Sequence, residues 1–90
     1  MLRPKLTARF ARETKLMRKR GKDLLKLRSV MSRLINELPL DPRHEDHKLR
    51  GEFEGRRDCH VEPDWILIYK LEGDSIVFER TGTHSDLFKK

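Results

Sequence analysis

Apolar residues recur at two different periods along this chain, and the change comes near its middle. From Ala8 to Arg20 the pattern is helical, with Phe10, Thr14 and Met17 on one face. Gly21 follows as a C-terminal cap. A second helix is predicted from about Lys22 to Glu37, where Leu24, Leu27, Met31, Leu34, Ile35 and Leu38 form an apolar stripe. Pro39 and Pro42 close it, and LPLDPRHED reads as a connecting loop. The short link between the helices predicts an antiparallel hairpin.

After the loop the period shortens. His60 to Glu62, Trp65 to Leu71 and Ile76 to Thr81 read as strands, rich in β-branched and aromatic residues. Turns fall at Glu62-Pro63-Asp64 and Glu72-Gly73-Asp74. A further strand is predicted from Leu49 to Phe53, ended by Gly55, and DLFKK reads as a short tail. Residues 2–7 fit a short edge strand, where Pro4 is tolerated because an edge need not donate. The expectation is an α+β fold of two layers, a helical hairpin on an antiparallel meander, within one domain spanning 1–90.

Composition sharpens this picture. Hydrophobic content is 36% against 40% charged, yet the apolar residues are clustered and periodic, which argues for folding rather than disorder. The net charge of +6 is unevenly spread. Residues 1–38 carry 12 Lys+Arg against 3 Asp+Glu, whereas residues 39–90 carry 9 against 12 and all four histidines. On the helices Arg12, Lys15, Lys19, Lys22 and Lys26 follow the helical repeat, which predicts a basic ridge. Such a ridge suits a phosphate backbone, although a solvated helical face has the same composition. One cysteine, Cys59, allows no intrachain disulfide and fits a reducing compartment. No apolar run approaches the roughly 18 residues needed to span a bilayer, and no signal-peptide core follows the N-terminus. A soluble cytoplasmic protein without membrane partners is expected.

The second half carries the material of acid–base chemistry. His60 precedes the Glu62-Pro63-Asp64 turn, with Trp65 just after it, and a tight hairpin draws these residues together. Arg80 and His84 close the last strand, and His47 sits where the loop enters the sheet. RNA cleavage by transesterification needs a base for the 2′-hydroxyl, cationic support for the phosphorane and an acid for the 5′-oxygen. Histidine can do either proton job near neutral pH, and arginine pairs with two phosphate oxygens. An aromatic ring can hold a splayed base. No metal or other cofactor is required.

Each residue also has a plainer reading. His60 could be a solvent-facing strand residue, Asp64 a turn former and Trp65 part of the core. Arg80 follows Phe78 at strand spacing, so both should share a face, with Glu79 pointing the other way. His84 is the hardest to explain by packing. His44-x-x-His47, completed by Asp58, Cys59 or His60, has zinc-ligand types but no recognised framework.

The stretch DHKLRGEFEGRRDCHVEPDWILIYK followed by FERTGTHSDLF resembles the YafQ branch of the RelE superfamily of type II toxin–antitoxin toxins. The similarity is strong over residues 46–88, while the first 38 match only in layout. It implies a RelE-like fold, a short N-terminal strand and two helices on a twisted, mostly antiparallel sheet. It implies a ribosome-dependent mRNA endonuclease that cuts in the aminoacyl site of the 70S ribosome and is silenced by a cognate antitoxin. The site residues implied are His47, His60, Asp64, Trp65, Arg80, His84 and Phe88. By similarity His84 is the general acid and Arg80 the phosphate stabiliser. His47 and Asp64 supply or orient the base, with His60 in support, and Trp65 and Phe88 shape the nucleotide pocket. The basic ridge would dock on ribosomal RNA. Two other classes stay open, a gyrase poison of the ParE group and a non-catalytic nucleic-acid-binding module. The first lacks this histidine set, and the second would lose little when His84 is removed.

Overall fold

The computed structural model describes residues 1–88. The chain begins with β1 (Arg3–Leu6) and a helical hairpin of α1 (Ala8–Lys19) and α2 (Leu24–Ile35). One-turn 3-10 segments at Pro42–His44 and Gly51–Phe53 flank the two-residue β2 (His47–Lys48). There follow β3 (Arg57–Glu62), β4 (Trp65–Glu72), β5 (Ser75–Gly82) and a short α3 (His84–Phe88). The sheet order is β1-β5-β4-β3-β2, antiparallel except where β1 runs parallel to β5. No helix of the described residues is long and apolar enough to cross a membrane.

The helices begin and end on local chemistry. Thr7 caps α1 by accepting the Phe10 N–H at 2.9 Å, and Asp23 caps α2 by accepting that of Leu25 at 3.0 Å. Gly21, at φ +86°, closes α1: its N–H goes to the Arg18 carbonyl and the Lys22 N–H to that of Met17. The end of α2 differs from expectation. Glu37 takes φ +56°, its N–H reaches the Leu34 carbonyl, and the Leu38 N–H that of Arg33. The helix therefore stops before either proline, and Leu38 swings out to 48% exposure instead of joining the apolar stripe. Val30 is buried in the core there. A left-handed glutamate costs about 1 kcal/mol that glycine does not. Glu37→Gly should therefore stabilise the chain by up to that amount and raise Tm by a few degrees in thermal unfolding.

β4 is the centre of the molecule, and its WILIY run is buried on both faces. Trp65, Leu67 and Tyr69 face the helices, packing with Cys59, Ile76, Phe78, Phe10, Met17, Leu27 and Val30. Ile66 and Ile68 face the other way, under Leu87 and the half-buried Leu49, Phe53 and Phe88. Two expectations are corrected on that second face. Leu49 to Phe53 is no strand: Gly51, at φ +71°, turns the chain so that Leu49 and Phe53 cover the sheet rather than extend it. The DLF of the tail is helical, and its Lys89 and Lys90 lie outside the described residues.

A bulge sets the faces of β5. Tyr69 pairs with Phe78 but Ile68 pairs with Arg80, so Glu79 is an extra residue. Phe78 and Arg80 consequently lie on opposite faces, contrary to plain alternation. Arg80 is delivered to the face away from the helices.

Candidate active site

The β3–β4 turn and the start of α3 meet at one end of that face. Thr83 and Asp86 cap α3 reciprocally: the Asp86 N–H donates to Thr83 Oγ1 at 3.2 Å, and the Thr83 N–H to Asp86 Oδ2 at 2.9 Å. Arg20, at the tip of the helical hairpin, donates to both Asp86 oxygens at 2.7 and 3.2 Å. The Arg20 guanidinium and then the Thr83 N–H hold the Asp86 carboxyl down at about 2. Because this carboxyl lies below its ordinary value, its contribution to stability is present above about pH 4 and lost as pH falls through about 2. Asp86→Asn should remove about 1–2 kcal/mol at neutral pH, after allowance for solvent screening, and flatten the acid limb of a Tm–pH profile.

His84 is the first residue of α3. Its backbone N–H and its Nδ1 both donate to Asp64 Oδ1, at 3.0 and 2.6 Å. These bonds, the backbone one first, hold the Asp64 carboxyl below its usual range. A proton on Nδ1 leaves Nε2 as the outward, reactive nitrogen. The His60 ring stands 5.5 Å away, edge to face, and Phe88 lies 6.2 Å from the His84 ring and 5.7 Å from that of Phe53. His60, Asp64, His84 and Phe88 thus form one cluster, with His84 and Asp64 exposed and Phe88 half-buried.

A second set crosses the sheet beside it. His47 pairs with Asp58, Asp58 with Ile68 and Ile68 with Arg80, so these side chains share one row on the same face. Asp58 is only 3% exposed. His47 Nε2 comes within 3.0 Å of Asp58 Oδ1, in ion-pair reach but out of hydrogen-bond alignment, so that buried oxygen has no aligned donor. Burial pushes the Asp58 carboxyl up, against the pull of His47, His60 and His84. His47 Nδ1 faces the Glu45 carbonyl oxygen at 2.6 Å. Arg80 is 14% exposed and held by Glu13 of α1, through Nη2 at 2.6 Å and Nε at 3.2 Å.

Trp65 is not in this face. It is fully buried toward the helices, and its indole N–H donates to Thr81 Oγ1 at 2.9 Å. It offers no stacking surface and belongs to the core. The basic ridge is also divided. Lys22 lies in the turn between the helices, and Lys22 and Lys26 bind Glu62 at 3.2 and 2.9 Å. Arg12, Lys15 and Lys19 remain exposed, with no carboxylate in ion-pair reach among the described residues.

His44 and His47 do not converge. His44 Nδ1 meets the His60 carbonyl, while Cys59 lies buried on the helix side, where burial pushes its thiol up. Among the described residues no group of three or more His, Cys, Asp or Glu is placed to hold a metal ion. Glu13 and the Arg20–Asp86 pair are residues at the site that sequence reasoning passed over, and Asp58, weighed there only as a metal ligand, lies instead beside His47. The capping pair T-x-x-D at Thr83–Asp86 was a readable signal for α3.

Fold and site together define a class, the small toxins of bacterial type II toxin–antitoxin systems. The sequence model of the family described as "Bacterial toxin of type II toxin-antitoxin system, YafQ" matches residues 2–89, and the chain belongs to that family. The mRNA interferase toxin YafQ of Escherichia coli strain K12 is 52% identical over 83 residues, covering 91% of this chain and 90% of that one. The crystal structure of YafQ from E. coli strain BL21(DE3) superposes with a TM-score of 0.92 at 47% identity, covering 98% of this chain and 99% of that one. The YafQ-family chain of the E. coli DinJ–YafQ complex matches at 0.90 and 48% identity, with the same coverage.

Proposed function

We propose that this chain is an endoribonuclease that cuts messenger RNA on the 70S ribosome by acid–base transesterification, held in check by a cognate antitoxin. The observation that carries the reading is the Asp64–His84 pair with His60 5.5 Å from the His84 ring. Two histidines side by side can take and give the two protons that the reaction moves. The 2′-oxygen attacks phosphorus as His60 accepts its proton. The P–O5′ bond breaks as His84 Nε2 protonates the departing oxygen, leaving a 2′,3′-cyclic phosphate and a 5′-hydroxyl. Asp64 orients His84 by accepting from its Nδ1 and its backbone N–H.

We assign two of the roles differently from what the resemblance implied. His47 Nδ1 faces the Glu45 carbonyl oxygen at 2.6 Å, and its Nε2 stands in ion-pair reach of the Asp58 carboxyl. His47 therefore fits cationic support of the phosphate together with Arg80, and the base falls to His60. Phe88, backed by Phe53, offers the apolar wall for a nucleotide. Trp65 stiffens β4 beneath the site.

Two features support the partners. Exposed Arg12, Lys15 and Lys19 suit docking on ribosomal RNA, and the complex of the E. coli relative with DinJ supports an antitoxin for this chain. Replacing all three cations with glutamine should lower the slope of log affinity for ribosomes against log salt by about 2. The direct test incubates purified protein with mRNA on programmed ribosomes and with the same mRNA free. Cuts on the ribosome bearing 2′,3′-cyclic phosphate ends are expected. Equal cutting of free RNA would refute ribosome dependence, and 3′-hydroxyl ends would refute the transesterification.

A further inference from the structure

α1 carries a single acidic residue, Glu13, among Arg9, Arg12, Lys15, Arg18 and Lys19. An isolated carboxylate on a helix so basic is turned inward, with its side chain 16% exposed. The reason lies in β5. β1 pairs with β5 only as far as Leu6 opposite Phe78, so the outer edge of β5 beyond that point has no strand beside it. Side chains replace the missing strand: the Thr7 hydroxyl donates to the Glu79 carbonyl at 2.9 Å, and Glu13 Oε1 accepts the Thr81 N–H at 3.2 Å. The same carboxylate takes the Nε and Nη2 edge of Arg80.

That grip leaves Arg80 Nη1 with no hydrogen bond among the described residues, and the strand register puts Arg80 on the sheet face that carries His60 and His47. We propose that Glu13 is the positioning residue of the active site, fixing Arg80 so that its free Nη1 side meets the scissile phosphate. The inference rests on the reading of Arg80 as phosphate support. An arginine has many rotamers, and one already locked by a bidentate carboxylate need not be ordered during the reaction. The cost is electrostatic, since the Glu13 charge partly offsets that of Arg80 at the phosphate. Positioning outweighs this offset if the phosphate forms its contacts chiefly in the transition state, because a misplaced group there loses rate rather than affinity.

The test is single-turnover cleavage of mRNA on programmed ribosomes by wild type, Glu13→Ala, Glu13→Asp, Arg80→Ala and the Glu13→Ala/Arg80→Ala double variant. Assays run well below the Tm of each variant, with protein concentration varied. Glu13→Ala should slow the saturated rate about tenfold to a hundredfold with little change in the concentration giving half that rate. Glu13→Asp should recover part of it. In the Arg80→Ala background Glu13→Ala should cost nothing further, because Glu13 acts through Arg80. Equal losses from Glu13→Ala in both backgrounds would make its role structural and overturn the inference alone. An Arg80→Ala protein cutting at the wild-type rate would overturn the reading of Arg80 and this inference with it.

Discussion

His84→Ala is expected to reduce cleavage about 10²–10⁴-fold while leaving the fold intact. The fold should survive because the His84 side chain is 53% exposed and touches the body of the protein chiefly through Asp64. Cap and clamp of α3 belong to Thr83, Asp86 and Arg20, none of which the substitution removes. The backbone N–H of residue 84 can still donate to Asp64. What disappears is Nε2, the nitrogen we propose protonates the leaving oxygen. The measurement is induction in a bacterial host with mapping of mRNA 5′ ends. Wild type should arrest growth with new cuts in messages, and the variant should do neither. Arrest that persists in the variant without cuts would point to a different cellular target. Asp64→Asn makes a graded companion: the amide oxygen can still face Nδ1 but grips it less strongly than a carboxylate, so a smaller loss is expected.

The Asp64–His84 pair was legible in sequence because its parts sit at turns and strand ends, where local rules act. Asp64 follows a proline in a two-residue turn, and His84 follows a strand that ends in glycine. Both helices were legible from their 3.6-residue period. Their ends were less so. Glu37 occupies a backbone region where glycine is the expected residue, so Leu38 was assigned to a helix that had already stopped. The face of Arg80 was misread because a one-residue bulge inverts the alternation after Phe78, and nothing in SIVFERTG marks it. Trp65 was misplaced for a different reason. A strand buried on both faces has no polar alternation to show which side each residue takes. Glu13 and Arg80 are 67 residues apart, so their pairing depends on the fold and not on any local pattern. The same holds for His47 and Asp58, which meet only because β2 lies beside β3.

Asp58→Asn should move activity and stability in opposite directions. A carboxylate with one oxygen buried and no aligned donor is costly to ionise, which is why burial holds the Asp58 carboxyl above its usual value. A raised carboxyl favours the fold most below the unfolded value, near pH 4, and that contribution is lost as pH rises through the folded value. Asparagine fills the same space without a charge to bury. At pH 8 the variant should therefore melt higher than wild type, and the gap should close as pH falls toward 4. Thermal unfolding across that range reads it directly. Cleavage should fall if the proposed role of His47 holds, because the amide removes the negative charge that faces its Nε2. A variant that melts lower than wild type at pH 8 would mean that the His47 contact stabilises Asp58 more than burial penalises it. A variant that melts higher and still cuts at full rate would remove His47 from phosphate support. A buried carboxyl with no aligned donor, one row from the proposed catalytic histidines, is the kind of compromise that function imposes on a small domain.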